Sequence, residues 1–225
     1  MLDLKGYSGF CIDHLDFSPE ASNISVYCLV KDIELLKIKA DKTSPLGYIP
    51  SGSVEFCSRV LGRSITPDYY PEWCKSILYR RVWRSDKWSF EKVFVKPADS
   101  YKRFTGYVNQ DMSMRKEDPP IWNSEVVEFR DEYRYYVSSG KIVSAHWYMN
   151  KHMLNPENPE PPSLDIEIPA DWCGTIDMGY LSTGELALVE CHAPMACGWY
   201  GYGCDIEVYM QWLVDGWLSL NFKAI

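Results

Sequence analysis

An α+β fold is predicted by three stretches of the 225-residue sequence. Residues 174–192, GTIDMGYLSTGELALVECH, and residues 132–149, EYRYYVSSGKIVSAHWYM, each read as an antiparallel hairpin, because strand-like runs flank a glycine-containing turn. An amphipathic helix from about Asp205 to Leu218, with Val208, Trp212 and Leu213 on its apolar side, is the third.

The 174–192 hairpin has a chemical consequence. A turn at Thr183-Gly184 leaves Asp177 and Glu190 equally far from its centre, so the two carboxylates face each other across the strands. Like charges in that position are unfavourable by up to about 1 kcal/mol. His192 joins the same face by the period of two. Such a trio calls for a cation or a shared proton, and the spacing leaves both open. A solvated face whose charges splay apart is the plainer alternative.

In the first fifty or so residues, ISVYCLV and IELLKI read as strands and a helix of a small N-terminal α/β lobe, placed at residues 1–55; apolar period alone does not separate helix from strand here. TSPLGYIPSG is loop-like, and Ser53 can cap a helix through VEFCSRVLG that stops at Gly62. PDYYPEWCKSILYRRVW then predicts a proline-initiated helix that turns Trp73 and Leu78 to the core and ends on Arg80 and Arg81.

Val93-Phe94-Val95 is a buried strand that delivers Lys96 and Pro97 into a polar loop holding Lys102 and Arg103. A lysine at a strand end beside a basic loop can grip phosphate, although for the motif standing alone a solvated lysine is the plainer reading. In EYRYYV, alternation sets Glu132, Arg134 and Tyr136 on one face against Tyr133, Tyr135 and Val137 on the other. A cross-face ion pair and a functional role both fit that placement. The proline-rich stretch 150–172 predicts a long loop of the kind that can cover a site. APMACGWYGYG is a glycine-rich turn that matches neither a Walker loop nor a dinucleotide fingerprint.

Composition limits the function classes. Hydrophobic residues at 46% and aromatics at 15% are enough for a packed core and exclude a disordered chain. A formal net charge of −8 disfavours nucleic acid as a partner. The eight cysteines contain no CxxC pair, and the spacing of Cys191, His192, Cys197 and Cys204 does not suit zinc. Reduced thiols in a cytoplasmic protein are expected. Apolar runs are too short for a transmembrane helix, so no membrane partner is expected.

Five pieces occur in an informative order: IPSGSVEF, PDYYPEW, FVKP, EVVEF followed by EYRYYV, and the final D…E-x-H hairpin. In that order and spacing, over roughly residues 48–217, the chain resembles the ATP-grasp enzymes, more narrowly the small divergent ATP-grasp proteins of phages and bacteria. The resemblance implies an ATP-grasp fold in which two α+β lobes hold a nucleotide between antiparallel sheets. It places the domain at residues 56–225, with a central lobe at about 56–127 and a C-terminal lobe at about 128–225.

It also implies roles for particular residues. Lys96 would contact the ATP phosphates, and Lys102 with the FTG turn would form the loop that closes over them. Glu125, Val126, Val127 and Glu128 would be the interlobe hinge at adenine, with Glu132 on the ribose. Arg134 would point to phosphate or to an acylphosphate, and with Lys102 forms the expected catalytic pair. Asp177 and Glu190 match two magnesium-binding acids. His192 stands where such enzymes usually carry Asn, a softer ligand that admits manganese as the alternative ion. Thr175 stands where an arginine is often found, which would leave its charge to Arg80, Arg81 or Arg134. The implied function is an ATP-dependent carboxylate–amine ligase acting through an acylphosphate. Its partners would be ATP with a small carboxylate and an amine, or a peptide or protein terminus. A nucleotide-binding protein on the same scaffold without ligase activity is the alternative. A metal-dependent phosphotransferase or nuclease is disfavoured by the acidic balance.

Overall fold

The computed structural model describes residues 2–39, 47–101, 103–109, 119–150, 159–199 and 204–222. Within them the chain forms three sheets. The first is parallel, with β1 (Gly9–Asp13) between β2 (Glu34–Ile38) and β3 (Tyr48–Ser51). Its crossover is α1 (Pro19–Val30). ISVYCLV is thus the end of a helix and IELLKI is a strand. The start signal is local: Ser18 accepts a hydrogen bond from the Ala21 amide, with Pro19 and Glu20 in the first turn. Helix α2 (Val54–Leu61) follows, capped by Ser53 and ended at Gly62 as its sequence predicts.

The helix expected over PDYYPEWCKSILYRRVW is instead a single 3-10 helix, Glu72–Ile77. Tyr79 takes a left-handed conformation at φ 49°, and the next side chain, Arg80, is drawn to carbonyls on a distant strand. These tertiary bonds outweigh helix propensity. Leu78 is buried as expected, and Trp73 packs edge-on against Trp172 at 5.2 Å.

Two antiparallel sheets complete the fold. The smaller comprises β4 (Val82–Ser85), β5 (Val93–Pro97), β6 (Tyr107–Asn109) and β7 (Ile121–Ser124) in the order β4-β7-β5-β6. The larger comprises β8 (Phe129–Ser138), β9 (Lys141–Asn150), β10 (Gly174–Leu181) and β11 (Leu186–His192) in the order β11-β10-β8-β9. Residues 125–128 lead directly from one sheet into the other. Helix α3 (Ile206–Phe222) buries Tyr209, Trp212 and Leu213, and the Trp212 indole donates to the Val137 and Gly174 carbonyls. One core joins α1, the larger sheet and α3, while Val93, Val95 and Ile121 form a second under the smaller sheet.

The described part of the proline-rich stretch, 159–172, is held on the face of the larger sheet opposite Arg134. There the Pro162 carbonyl accepts from the Tyr135 hydroxyl at 2.7 Å. That part is therefore packing for the back of the sheet and not a cover for its front; residues 151–158 lie outside the described residues. No described helix is long and apolar enough to cross a membrane.

Candidate nucleotide and metal site

The hairpin at the centre of the site reaches its predicted register by an unpredicted route. Near the turn, Tyr180 pairs with Leu186, and the loop is three residues, Ser182 to Gly184, with Gly184 at φ 104°. This corrects the two-residue turn expected at Thr183-Gly184. Continued without a break, that register would place Val189 opposite Asp177 and turn Glu190 to the core. A β-bulge intervenes: Met178 pairs with Leu188 and Asp177 with Glu190, leaving Val189 as the extra residue. Leu188 and Cys191 are buried, whereas Val189 and Glu190 both line a cavity on the front of the sheet.

The pairings Arg134 with His146, Arg134 with Asp177, and Asp177 with Glu190 run in one row across all four strands. Arg134 grips the fully buried Asp177 with two bonds, Nε to Oδ1 at 2.8 Å and Nη2 to Oδ2 at 2.7 Å. Lys96, arriving from β5 of the smaller sheet, pairs with Glu190 and lies 4.8 Å from the centre of the Tyr69 ring. His192 Nε2 sits 3.5 Å from Asp177 and 3.4 Å from Glu190. Tyr69 and Tyr101 pack against its ring.

These charges set one another's protonation. Burial alone would raise both carboxyl pKa values, but Arg134 holds Asp177 below the ordinary range and Lys96 with His192 does the same for Glu190. Burial would likewise lower Lys96 and His192, and the adjoining carboxylates reverse this, so both are raised. The acids therefore stay ionised at neutral pH. Ligand atoms of Asp177, Glu190 and His192 all lie within 4.8 Å of one another. An ion with bonds of about 2.1 Å spans about 4.2 Å between opposite donors, so small rotamer shifts would close the trio on one. Two carboxylates and an imidazole suit a hard or borderline divalent ion, and Arg134 uses only part of the acceptor capacity of Asp177.

Next to this trio is a cavity of about 260 Å³, lined among others by Lys96, Glu125, Val126, Val127, Glu132 and Glu190. Phe94, Val108, Val126, Val127 and Phe129 give it apolar lining, and Glu190 is the member of the trio that lines it. Glu125 is tied in both directions to Arg81: its amide donates to the Arg81 carbonyl at 3.0 Å and its carboxylate accepts from the Arg81 amide at 2.8 Å. Glu128 follows on the same connection but does not line the cavity. Lys102 lies outside the described residues. Thr175 is buried, and its hydroxyl meets the Cys197 sulfur at 3.5 Å.

Sequence reasoning misses one residue and leaves the part played by another unread. His146 is 4% exposed, stacks on Tyr136 at 5.5 Å, and has no partner for either ring nitrogen among the described residues. Counting outward from the Ser139-Gly140 turn places it near Arg134, so a signal exists. In the sequence Arg80 is a charge near a helix end and one of three candidates to replace the arginine absent at Thr175, whereas its guanidinium reaches the Leu188 and Val189 carbonyls. No local pattern announces a bond to backbone more than a hundred residues away.

A family model of the ATP-grasp domain matches residues 75–212. Among solved structures, the chain is similar to the ATP-grasp ligase PsnB complexed with minimal precursor, Mg and ADP, at 10% identity and a TM-score of 0.48, with 98% of each chain covered. It is also similar to D-alanine–D-alanine ligase from Bacillus anthracis complexed with ATP, at 12% identity and a TM-score of 0.47, covering 96% of this chain and 97% of that one. No curated protein matches the chain significantly.

Proposed function

The chain belongs to the ATP-grasp superfamily, and from that premise we propose that it is an ATP-dependent carboxylate–amine ligase. The observation that carries the reading is the continuity of one cavity. It is lined by Val126 and Val127 of the connection between the sheets, by Lys96 and Glu132, and by Glu190, which belongs to the cluster with Asp177 and His192. That lining matches a nucleotide, with an aromatic base at one end and a metal-bound polyphosphate at the other.

In this reading the base lies against Val126 and Val127 and hydrogen-bonds the backbone of 125–128. Glu132 meets the ribose hydroxyls, and Lys96 with Lys102 neutralises the phosphates. Asp177 and Glu190 hold magnesium, or manganese where His192 joins them. The metal neutralises charge on the transferring phosphoryl group. With an ion held by Asp177 and Glu190, Lys96 would be free to meet phosphate, and the acids would keep a counter-charge. A substrate carboxylate attacks the γ-phosphate to give an acylphosphate and ADP, and an amine then displaces phosphate. The side chains contribute position and charge, and none of them is needed as a nucleophile. The proposed lobes divide at the 125–128 connection, with residues 1–55 as the small N-terminal unit.

Calorimetric titration of ATP with magnesium into Asp177→Asn and Glu190→Gln tests the site. Both variants keep the side-chain shape and remove one charge. Each is expected to weaken magnesium-dependent binding at least about tenfold, since one charge-assisted contact is worth about 1.5–3 kcal/mol, with an unchanged circular dichroism spectrum. Wild-type affinity in both variants would remove the site from consideration. Because Arg134 is held by Asp177 through two bonds, a binding protein without ligase activity is the second reading. Release of ADP and phosphate on offering mixed amino acids or peptides separates the two, since a binding protein releases neither.

A further inference from the structure

β11 is the edge strand of the larger sheet, so carbonyls that face away from β10, those beside the bulge included, need donors from elsewhere. In β11 those donors come from one side chain. Arg80 Nη1 donates to the Leu188 carbonyl, and Nη2 donates to the carbonyl of the extra residue Val189 at 2.9 Å. The same guanidinium donates through Nη1 to the Leu78 carbonyl at 3.1 Å and through Nε to the Ser124 hydroxyl at 2.8 Å. Ser124 in turn donates to the Glu125 carbonyl at 2.9 Å. One planar fork thus spans the bulge and the start of the connection between the sheets. The rings of Phe129 and Tyr70 lie 5.3 and 5.7 Å from its centre and hold its plane. Its donors go to carbonyls and a hydroxyl, the pattern of a strut.

We infer that Arg80 is a positioning residue for Glu190, holding the bulge that turns Val189 and Glu190 together toward the cavity. The inference rests on the nucleotide-and-metal reading of the same site. Its chemical content is specific. Without the fork, the freed carbonyls lose their donors, the bulge relaxes, and Glu190 no longer meets Asp177 at metal-binding distance. The effect falls on the metal shell through Glu190. Arg80 also borders the cavity, so a direct contact with phosphate is the competing explanation, and the two predict different dependence on the metal.

The test measures ADP affinity calorimetrically with magnesium and with excess chelator, in wild type, Arg80→Ala and Arg80→Lys. Positioning predicts that both variants need at least tenfold more magnesium for half-maximal enhancement of ADP binding, while metal-free ADP affinity changes less than threefold. It further predicts that millimolar guanidinium restores part of the magnesium response in Arg80→Ala. An equal loss with and without metal would show a phosphate contact and overturn the inference, as would an unchanged magnesium requirement. Should Arg80→Ala not fold, Arg80→Lys decides alone: it keeps the charge but cannot reproduce the fork, so a wild-type magnesium response in it refutes the positioning role. If wild type itself shows no magnesium-dependent ADP binding, the nucleotide-and-metal reading fails first, and the inference fails with it.

Discussion

At the scale of single residues, the row His146, Arg134, Asp177, Glu190 shows how one sheet face fixes charge states. His146 differs from the rest. Burial, and next the Arg134 charge, lower its pKa from 6.5 to about 4, so it is neutral in the folded protein at neutral pH. In the unfolded chain it protonates near 6.5. The unfolded state therefore takes up the proton first as pH falls. The stability linked to His146 is complete above pH 6.5 and is lost progressively between there and pH 4. Allowing for solvent screening, the loss is up to about 2 kcal/mol. His192, whose pKa is raised, contributes with the opposite sign and is common to both proteins in the comparison. Urea unfolding of wild type and His146→Phe at about pH 7 and about pH 4.5 isolates the contribution of His146: wild type should lose more stability on acidification than the variant. Parallel losses would mean that His146 is solvated in the folded state.

Secondary-structure elements show what local sequence does and does not encode. The β8–β9 hairpin turns through Ser139 at φ 48° and Gly140 at φ 73°, a two-residue turn of the primed kind. A Cβ on Gly140 would lie 2.7 Å from the Pro169 carbonyl oxygen and 2.8 Å from the Ala170 Cα. Gly140→Ala combines left-handed strain with a backbone collision and should cost about 1–3 kcal/mol. Thermal unfolding checks the size, and hydrogen exchange should quicken at the β8–β9 end; an unchanged melting temperature would contradict the packing of 169–172 on this turn. The Ser-Ser-Gly signal of this turn is readable because its chemistry is local. So is the pairing of Asp177 with Glu190, but only because the three-residue loop and the bulge at Val189 shift the register in compensating directions. The bulge itself is not readable, since the donors that meet its carbonyls come from Arg80, more than a hundred residues away in sequence. The same contact shortens the helix expected over PDYYPEWCKSILYRRVW. Ser18-Pro19-Glu20 announces a helix start of which ISVYCLV is the continuation, a local signal that apolar period alone does not convey.

For the whole molecule, Lys96 carries a polar link between the two antiparallel sheets. Its backbone belongs to β5 of the smaller sheet, and its ammonium pairs with Glu190 of the larger. In the ligand-free protein it serves as the counter-ion of Glu190; in the proposed complex it becomes a phosphate ligand. Lys96→Ala should therefore have two separable effects. Without ligand, it removes the ammonium that pairs with Glu190, lowering stability by about 1–3 kcal/mol. With ligand, it removes a contact that binds the native state only. Ligand at about a hundred times its Kd stabilises by about 2.7 kcal/mol, which for a chain of this size corresponds to a rise in melting temperature of about 5–10 °C. Wild type mixed with ADP and magnesium should show a rise of that order, and Lys96→Ala at the same ligand concentration should show little of it. A lowered melting temperature in the variant with an undiminished ligand-induced rise would separate the roles, leaving Lys96 as a tie between the sheets and removing it from the nucleotide site.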